Sequence, residues 1–190
     1  MSKPFNDEPV EQLIPKLLSE DGKLLDLRLK YIGDDGLKIV AGTEALRGLE
    51  VLNLERNDIG PEGIRALAES SVITGLVELH LERNDLGDEG TRIIAESANF
   101  SNLKYLNLWK NKLGADGVKA LTQSLYLSRL VRLDIAQNNI GDEGARAFSE
   151  SLTLSDLTYL DVFGNGISLE GQELLKNAEG LGKVQDMILA

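Results

Sequence analysis

A fifteen-residue string recurs along the chain at a fixed step of 27 residues. It reads LEVLNLERNDIGPEG at 49–63, LVELHLERNDLGDEG at 76–90, LKYLNLWKNKLGADG at 103–117, LVRLDIAQNNIGDEG at 130–144 and LTYLDVFGNGISLEG at 157–171. A degenerate copy, GKLLDLRLKYIGDDG, occupies 22–36, and VQDMILA at 184–190 keeps the step as a half-copy. A period in this range marks one supersecondary unit stacked on copies of itself, because a single unit cannot bury its own apolar face.

Each position in the string has a predicted task. L-x-x-L-x-L places two apolar residues two apart, the alternation of a strand with one buried face, so Leu52 and Leu54, Leu79 and Leu81, and Leu106 and Leu108 point inward. Three residues further on comes Asn57, Asn84, Asn111, Asn138 or Asn165, with Lys30 in the first copy. Stacked copies turn these into an amide ladder that satisfies backbone groups where the chain leaves the strand. Gly33, Gly60, Gly87, Gly114 and Gly141 form one turn row, with Ser168 in the sixth copy; Gly36, Gly63, Gly90, Gly117, Gly144 and Gly171 form a second. An acid precedes each of the second row, Asp35, Glu62, Glu89, Asp116, Glu143 and Glu170, where it suits the first turn of a following helix. The segments IRALAESSVI and VKALTQSLYL carry apolar residues at helical spacing. Each repeat is therefore one strand and one helix.

This string resembles the leucine-rich repeat, and its length, helical return and N-x-[IL]-G-x-[DE]-G turn resemble the ribonuclease-inhibitor-like subtype. The resemblance covers residues 22–190 and implies an α/β solenoid, a horseshoe arc with a parallel sheet on the concave side and helices on the convex side. Repeats begin at 22, 49, 76, 103, 130 and 157, with the half-repeat at 184. Residues 1–21 are expected to cap them, through a helical stripe of Val10, Leu13, Ile14, Leu17 and Leu18. Asp7 is the expected N-cap, Pro9 suits the first turn, and Pro15 is expected to kink or split the helix. At the other end Met187, Ile188 and Leu189 run along a strand edge open to pairing with another chain, or simply short and tolerated.

Composition narrows the partners. Lys and Arg number 20 against 31 Asp and Glu, a net charge of −11, which repels phosphate backbones and anionic headgroups and argues against nucleic acid and membrane surfaces. The chain has no cysteine, so thiolate chemistry and disulfides are excluded. Its length suits one globular unit. Residues 1–18 lack the pattern of a signal peptide and no segment is long enough to span a bilayer, so a cytoplasmic location is expected, with export as an effector left open.

Catalytic patterns fail one by one. GNGISLEG has Leu169 where a dinucleotide loop needs its third glycine, and NDLGDEG has Leu86 where a calcium loop needs an oxygen ligand. His80 is the only histidine, without a second metal ligand or a nucleophile motif, and is expected to be a solvated contact residue. Asp134 and Asp161 stand at the same strand position in neighbouring repeats, close enough for a glycosidase pair, but an open sheet supplies no enclosing pocket. The expectation is a non-enzymatic chain with no cofactor and no metal.

The informative positions are then the non-repeating ones on the open face. Four of the chain's aromatics fall there, Tyr105 and Trp109 on the fourth strand and Tyr159 and Phe163 on the sixth, with Arg132 and Ala136 between them. Trp109 and Phe163 wall a shallow notch and the tyrosines flank Arg132, in the residue types that dominate interface hot spots. Packing of the rings against each other is the plainer alternative. Glu55, Glu78 and Glu82 make the neighbouring surface acidic. Together with His80, Asp134 and Asp161 these residues are expected to bind a protein or peptide with an apolar side chain beside a basic patch. Two alternatives stand beside this one. The resemblance also admits a regulator that accelerates GTP hydrolysis by a small GTPase, with Arg28, Arg56 or Arg83 supplying charge, and the C-terminal edge admits self-association.

Overall fold

The computed structural model describes residues 8–189. Asp7 and Ala190 lie outside them.

Seven three-residue strands form one parallel sheet in chain order: β1 (Leu24–Asp26), β2 (Val51–Asn53), β3 (Glu78–His80), β4 (Tyr105–Asn107), β5 (Arg132–Asp134), β6 (Tyr159–Asp161) and β7 (Asp186–Ile188). The register aligns each repeat position with its equivalent, Leu25 with Leu52, Leu52 with Leu79, and so on to Leu160 with Met187. A helix follows each of the first six strands: α2 (Gly33–Gly42), α3 (Pro61–Ala68), α4 (Gly87–Glu96), α5 (Ala115–Thr122), α6 (Gly141–Ser149) and α7 (Leu169–Lys176). The middle residue of β1 to β6 is fully buried, and so are Leu27, Leu54, Leu81, Leu108, Ile135 and Val162 two positions on. One continuous core results, running from Val10 to Leu181. Each buried leucine contributes on the order of 1.5–3 kcal/mol, and the alternation leaves the other face of the sheet uncovered.

α1 (Val10–Leu17) buries Val10, Leu13 and Ile14 in this core. The chain then turns so that Leu18 bridges Leu25 antiparallel and Ser19 N donates to Leu24 O, occupying the outer edge of β1. Pro9 precedes α1, and the helix runs unbroken through Pro15. The expected split does not occur. Pro15 and Glu11 are both exposed, so the carbonyl deprived of its helical N–H can be hydrated.

Three ladders hold the stack. In the first, Asn84 Nδ2 donates to Leu54 O and Leu81 O at 2.9 Å, while its Oδ1 accepts Asn57 N and Ile59 N at 3.0 Å. Asn138 repeats this with Leu108 O, Ile135 O, Asn111 N and Leu113 N. The predicted amide ladder is therefore real, and it ties each turn to the preceding repeat.

The second ladder is made of serines. Ser70, Ser97, Ser124 and Ser151, spaced by 27 residues, donate to the carbonyls of Ala41, Ala68, Ala95 and Thr122 in the preceding repeat. Ser70 Oγ also accepts Val72 N and Ile73 N, and Ser124 Oγ accepts Tyr126 N and Leu127 N. These bonds compete with helix continuation, so α3 ends at Ala68 and α5 at Thr122, shorter than the apolar spacing of IRALAESSVI and VKALTQSLYL predicts.

The third alternates. Asp34, Asp88 and Asp142 recur every 54 residues, with Pro61, Ala115 and Leu169 at the same position of the intervening repeats. Each aspartate accepts a backbone N–H from the next repeat: Asp34 Oδ1 from Gly60 at 2.7 Å, Asp88 Oδ1 from Gly114 at 2.7 Å and Gly117 at 2.8 Å, Asp142 Oδ1 from Ser168 at 2.8 Å. The helix starts at α3, α5 and α7 are thus capped by a neighbouring repeat. The acid before each second-row glycine does lie in a helical first turn, but this aspartate one position earlier makes the bonds. The second-row glycines divide accordingly. A Cβ at Gly63, Gly117 or Gly171 would meet the capping carboxylate at 2.6, 2.7 and 2.3 Å, whereas at Gly36, Gly90 or Gly144 it would meet Ile32, Leu86 or Ile140.

Candidate interaction face

The uncovered face of the sheet is where side chains vary while the backbone does not. Strand alternation aims the first and third residues of every strand at it. The third residue is Asp or Asn in β1, β2, β4, β5 and β6, and in each its Oδ1 accepts the N–H two residues on: Asp26 from Arg28 (3.1 Å), Asn53 from Glu55 (3.1 Å), Asn107 from Trp109 (2.9 Å), Asp134 from Ala136 (3.0 Å) and Asp161 from Phe163 (2.9 Å). Asp134 and Asp161 are therefore partly framework residues, with one carboxylate oxygen spent on the strand exit.

His80 breaks that row. Its imidazole stands between two carboxylates, Nε2 3.4 Å from Glu78 Oε2 and Nδ1 3.6 Å from Glu82 Oε1, and packs edge-on to Tyr105 with ring centroids 4.7 Å apart. Only 19% of its side chain is exposed, so it is not the solvated residue the sequence suggests. Burial disfavours the charged ring, but Glu82 and Glu78 outweigh it and raise the His80 pKa above the ordinary histidine value. Burial raises Asp134, helped by the charges of Asp161 and Glu82 against the Ala136 N–H bond. Burial likewise pushes up the Tyr105 phenol, whose oxygen accepts from Asn107 Nδ2 at 3.1 Å.

Beyond this polar centre lie the aromatics. The Arg132 guanidinium is 4.3 Å from the Tyr159 ring centroid and 5.8 Å from that of Tyr105. Ala136, 5% exposed, lies between Trp109 and Phe163 in register, with Lys110 N bonded to Ala136 O and Gln137 N to Phe163 O. Phe163 is 43% exposed. The fold thus brings His80, Glu82, Tyr105, Trp109, Arg132, Asp134, Tyr159, Asp161 and Phe163 together on β3 to β6 and their exits, with Glu55 one strand away.

Two further contacts involve arginines past the strand ends. Arg83 lies over the Trp109 ring at 4.7 Å, and Arg28 forks onto Asp26 with nitrogens 2.7–3.0 Å from its oxygens. Arg28 follows Asp26 by two residues, a spacing that suits the pair; Arg83 sits past the end of its strand, where period-two alternation assigns no direction. Glu82 Oε2 is buried and has no hydrogen-bond donor. Among the described residues no group of three His, Cys, Asp or Glu is arranged to hold a metal, and no helix is long and apolar enough to cross a membrane.

Comparison with known proteins agrees with the architecture. A family model described as "Leucine Rich repeat" matches residues 47–68, 74–92, 101–121, 127–149 and 153–175. No curated protein matches the sequence. Among solved structures, the chain is similar to a tropomodulin C-terminal domain from Caenorhabditis elegans, at 17% identity over 93% of each chain with a TM-score of 0.48. It is also similar to an internalin from Listeria monocytogenes, at 21% identity over 80% of this chain and 50% of that one, with a TM-score of 0.44. Neither likeness is strong enough to carry an argument about function. The five family matches together span more than half of the sequence and fall on successive strand-and-helix units, and the chain belongs to the leucine-rich repeat family.

Proposed function

We infer that this chain is a non-enzymatic binding module that holds a protein or peptide on the open face of β3 to β6. Domains of this family generally mediate protein–protein interaction and are typically not enzymes. The observation that carries the reading for this chain is Phe163, an aromatic ring 43% exposed on the open face where Arg132 lies over Tyr159. Glu78 and Glu82, on β3 and its exit, favour a cationic group from a partner. The notch over Ala136 between Trp109 and Phe163 suits an apolar side chain from the same partner. The predicted partner motif is a Lys or Arg beside an aliphatic or aromatic residue.

The 27-residue period and the helical return segments support assignment to the ribonuclease-inhibitor-like subtype. They do not carry over ribonuclease inhibition, since ribonuclease inhibitors are longer and rich in cysteine. In the GTPase-regulating alternative Arg28 is committed to Asp26, which leaves Arg56 and Arg83 to supply the charge.

Selection of a random peptide library displayed on phage tests the reading. Enriched peptides are expected to carry the basic–apolar pair and to lose affinity for a Tyr105→Ala, Trp109→Ala, Phe163→Ala variant whose fold is checked by circular dichroism. Failure to enrich any motif, or equal retention by the folded variant, would overturn it.

A further inference from the structure

We propose that the rim at the exits of β2, β3 and β4 is a second binding site, distinct from the aromatic face, and that it takes a short acidic peptide segment through Arg56, Arg83 and Lys110. These three occupy one repeat position, shared with Leu29, Gln137 and Gly164, and the backbone there is left-handed throughout, with φ of 53°, 55° and 58° at the three cations and 69° at Gly164. Glycine is what such a position favours, and long side chains are disfavoured there. Adjacent strands set the three residues about 4.8 Å apart at the backbone, so like charges are stacked on a strained row. The fold asks for neither, since Gln137 and Gly164 serve the same position without charge.

No carboxylate among the described residues neutralises the row. Among the described residues none of the three has a carboxylate within ion-pair distance; Arg83 instead lies over Trp109, and the nearby Lys112 pairs with Asp85 at 2.7 Å. The three cations and Lys112 line an open groove of about 680 Å³ that no Asp or Glu lines. Gln137 and Asn139 form part of its wall and supply amide groups that can bond a peptide backbone. On a chain of net charge −11 this is a local reversal of sign. A long polyanion such as a nucleic acid would meet the acidic remainder of the surface, whereas a run of a few carboxylates would meet the groove alone. Arginine binds carboxylates through two parallel N–H bonds, which adds geometry to charge.

The probe is a fluorescein-labelled hexaglutamate peptide, followed by anisotropy against the full chain at low salt, about 25 mM, and at about 200 mM. Saturable binding at low salt is expected, about tenfold weaker in the Arg56→Gln, Lys110→Gln variant and kept within about twofold in Arg56→Lys, Lys110→Arg. A Tyr159→Ala, Phe163→Ala variant should bind hexaglutamate as the wild type does, so the rim and the aromatic face fail or stand separately. Absence of saturable binding by the wild type, equal binding by the charge-neutral variant, or tighter binding of a single-stranded DNA hexamer than of the peptide would each overturn the assignment.

Discussion

Asp88 and Gly117 belong to different repeats, yet the Oδ1 atom of one lies 2.8 Å from the backbone nitrogen of the other. A Cβ at residue 117 would come within 2.7 Å of that same oxygen, so the glycine exists to admit its neighbour's carboxylate. Replacing Asp88 by Ala is expected to cost about 1–2 kcal/mol, as loss of an N-cap does, while Ala115→Ser, at the same position of the next repeat, should cost a few tenths at most. The shift in urea midpoint at constant m-value measures both.

The amide ladder should be more costly to break. Asn138 donates to two carbonyls at 3.0 Å or less and accepts two N–H groups, all belonging to turns with little access to water. Asn138→Ala is expected to lose about 2–4 kcal/mol, because several buried backbone groups lose their partners at once. Amide hydrogen exchange at Asn111 and Leu113 should accelerate more than exchange in the repeats at either end.

Ser124→Ala tests the serine ladder. Its hydroxyl bonds Ala95 O in one repeat and two N–H groups in its own, so a loss of about 1–2 kcal/mol is expected. Ser128→Ala, a few residues further along the same segment and with no bond of this kind, is the control. Equal midpoints for the two variants would show that the hydroxyl bonds add nothing to the stack.

Two groups on the open face make stability fall as pH rises, His80 by losing a favourable charge and Asp134 by gaining an unfavourable one. The His80 pKa is raised in the folded state, so its contribution is fully present below the unfolded value of about 6.5 and is lost as pH rises through the folded value. The stability margin of wild type over His80→Gln should therefore shrink as pH rises from about 6.5 through the raised folded value. Asp134 is a carboxylic acid raised in the folded state, so its ionisation weakens the fold above that value and has no effect below the unfolded value of about 3.9. Asp134→Asn keeps the acceptor for Ala136 N and should stabilise the protein at neutral pH, with the gain fading as the solution is acidified. Denaturant midpoints of the three proteins across pH give both curves.

Much of this fold is legible because stacking forces equivalent residues into register. The leucine rows, the Asn ladder and the strand-and-helix unit all follow from one period, since each position has to satisfy the same neighbour six times. The serines keep the same step, and Ser70, Ser97, Ser124 and Ser151 could have been read with equal ease. They are masked by the apolar spacing of the flanking helix. The capping aspartates are harder to see because they obey twice the period, which a search at 27 residues counts as mismatch.

The face is legible as a set of residues and less so as an environment. Alternation alone puts Tyr105, Arg132 and Tyr159 side by side. It says nothing about how far His80 sinks between Glu78 and Glu82, since burial on an open sheet depends on the bulk of the next strand's side chains, here Tyr105. Nor does it distinguish an aspartate committed to the backbone from one free to bind, a difference set by the turn of the chain after the strand.

The alternation of capping aspartates makes the exchangeable module of this protein a pair of repeats. Excising residues 76–129 removes a pair and leaves Gly60 capped by Asp34 and Ser168 by Asp142, so every surviving helix start keeps its carboxylate. Excising residues 76–102 alone would set Gly114 against the repeat that carries Pro61, with no carboxylate to meet it. Shortened chains that lose two repeats should melt as one cooperative unit, and chains that lose one should come apart first at the new seam.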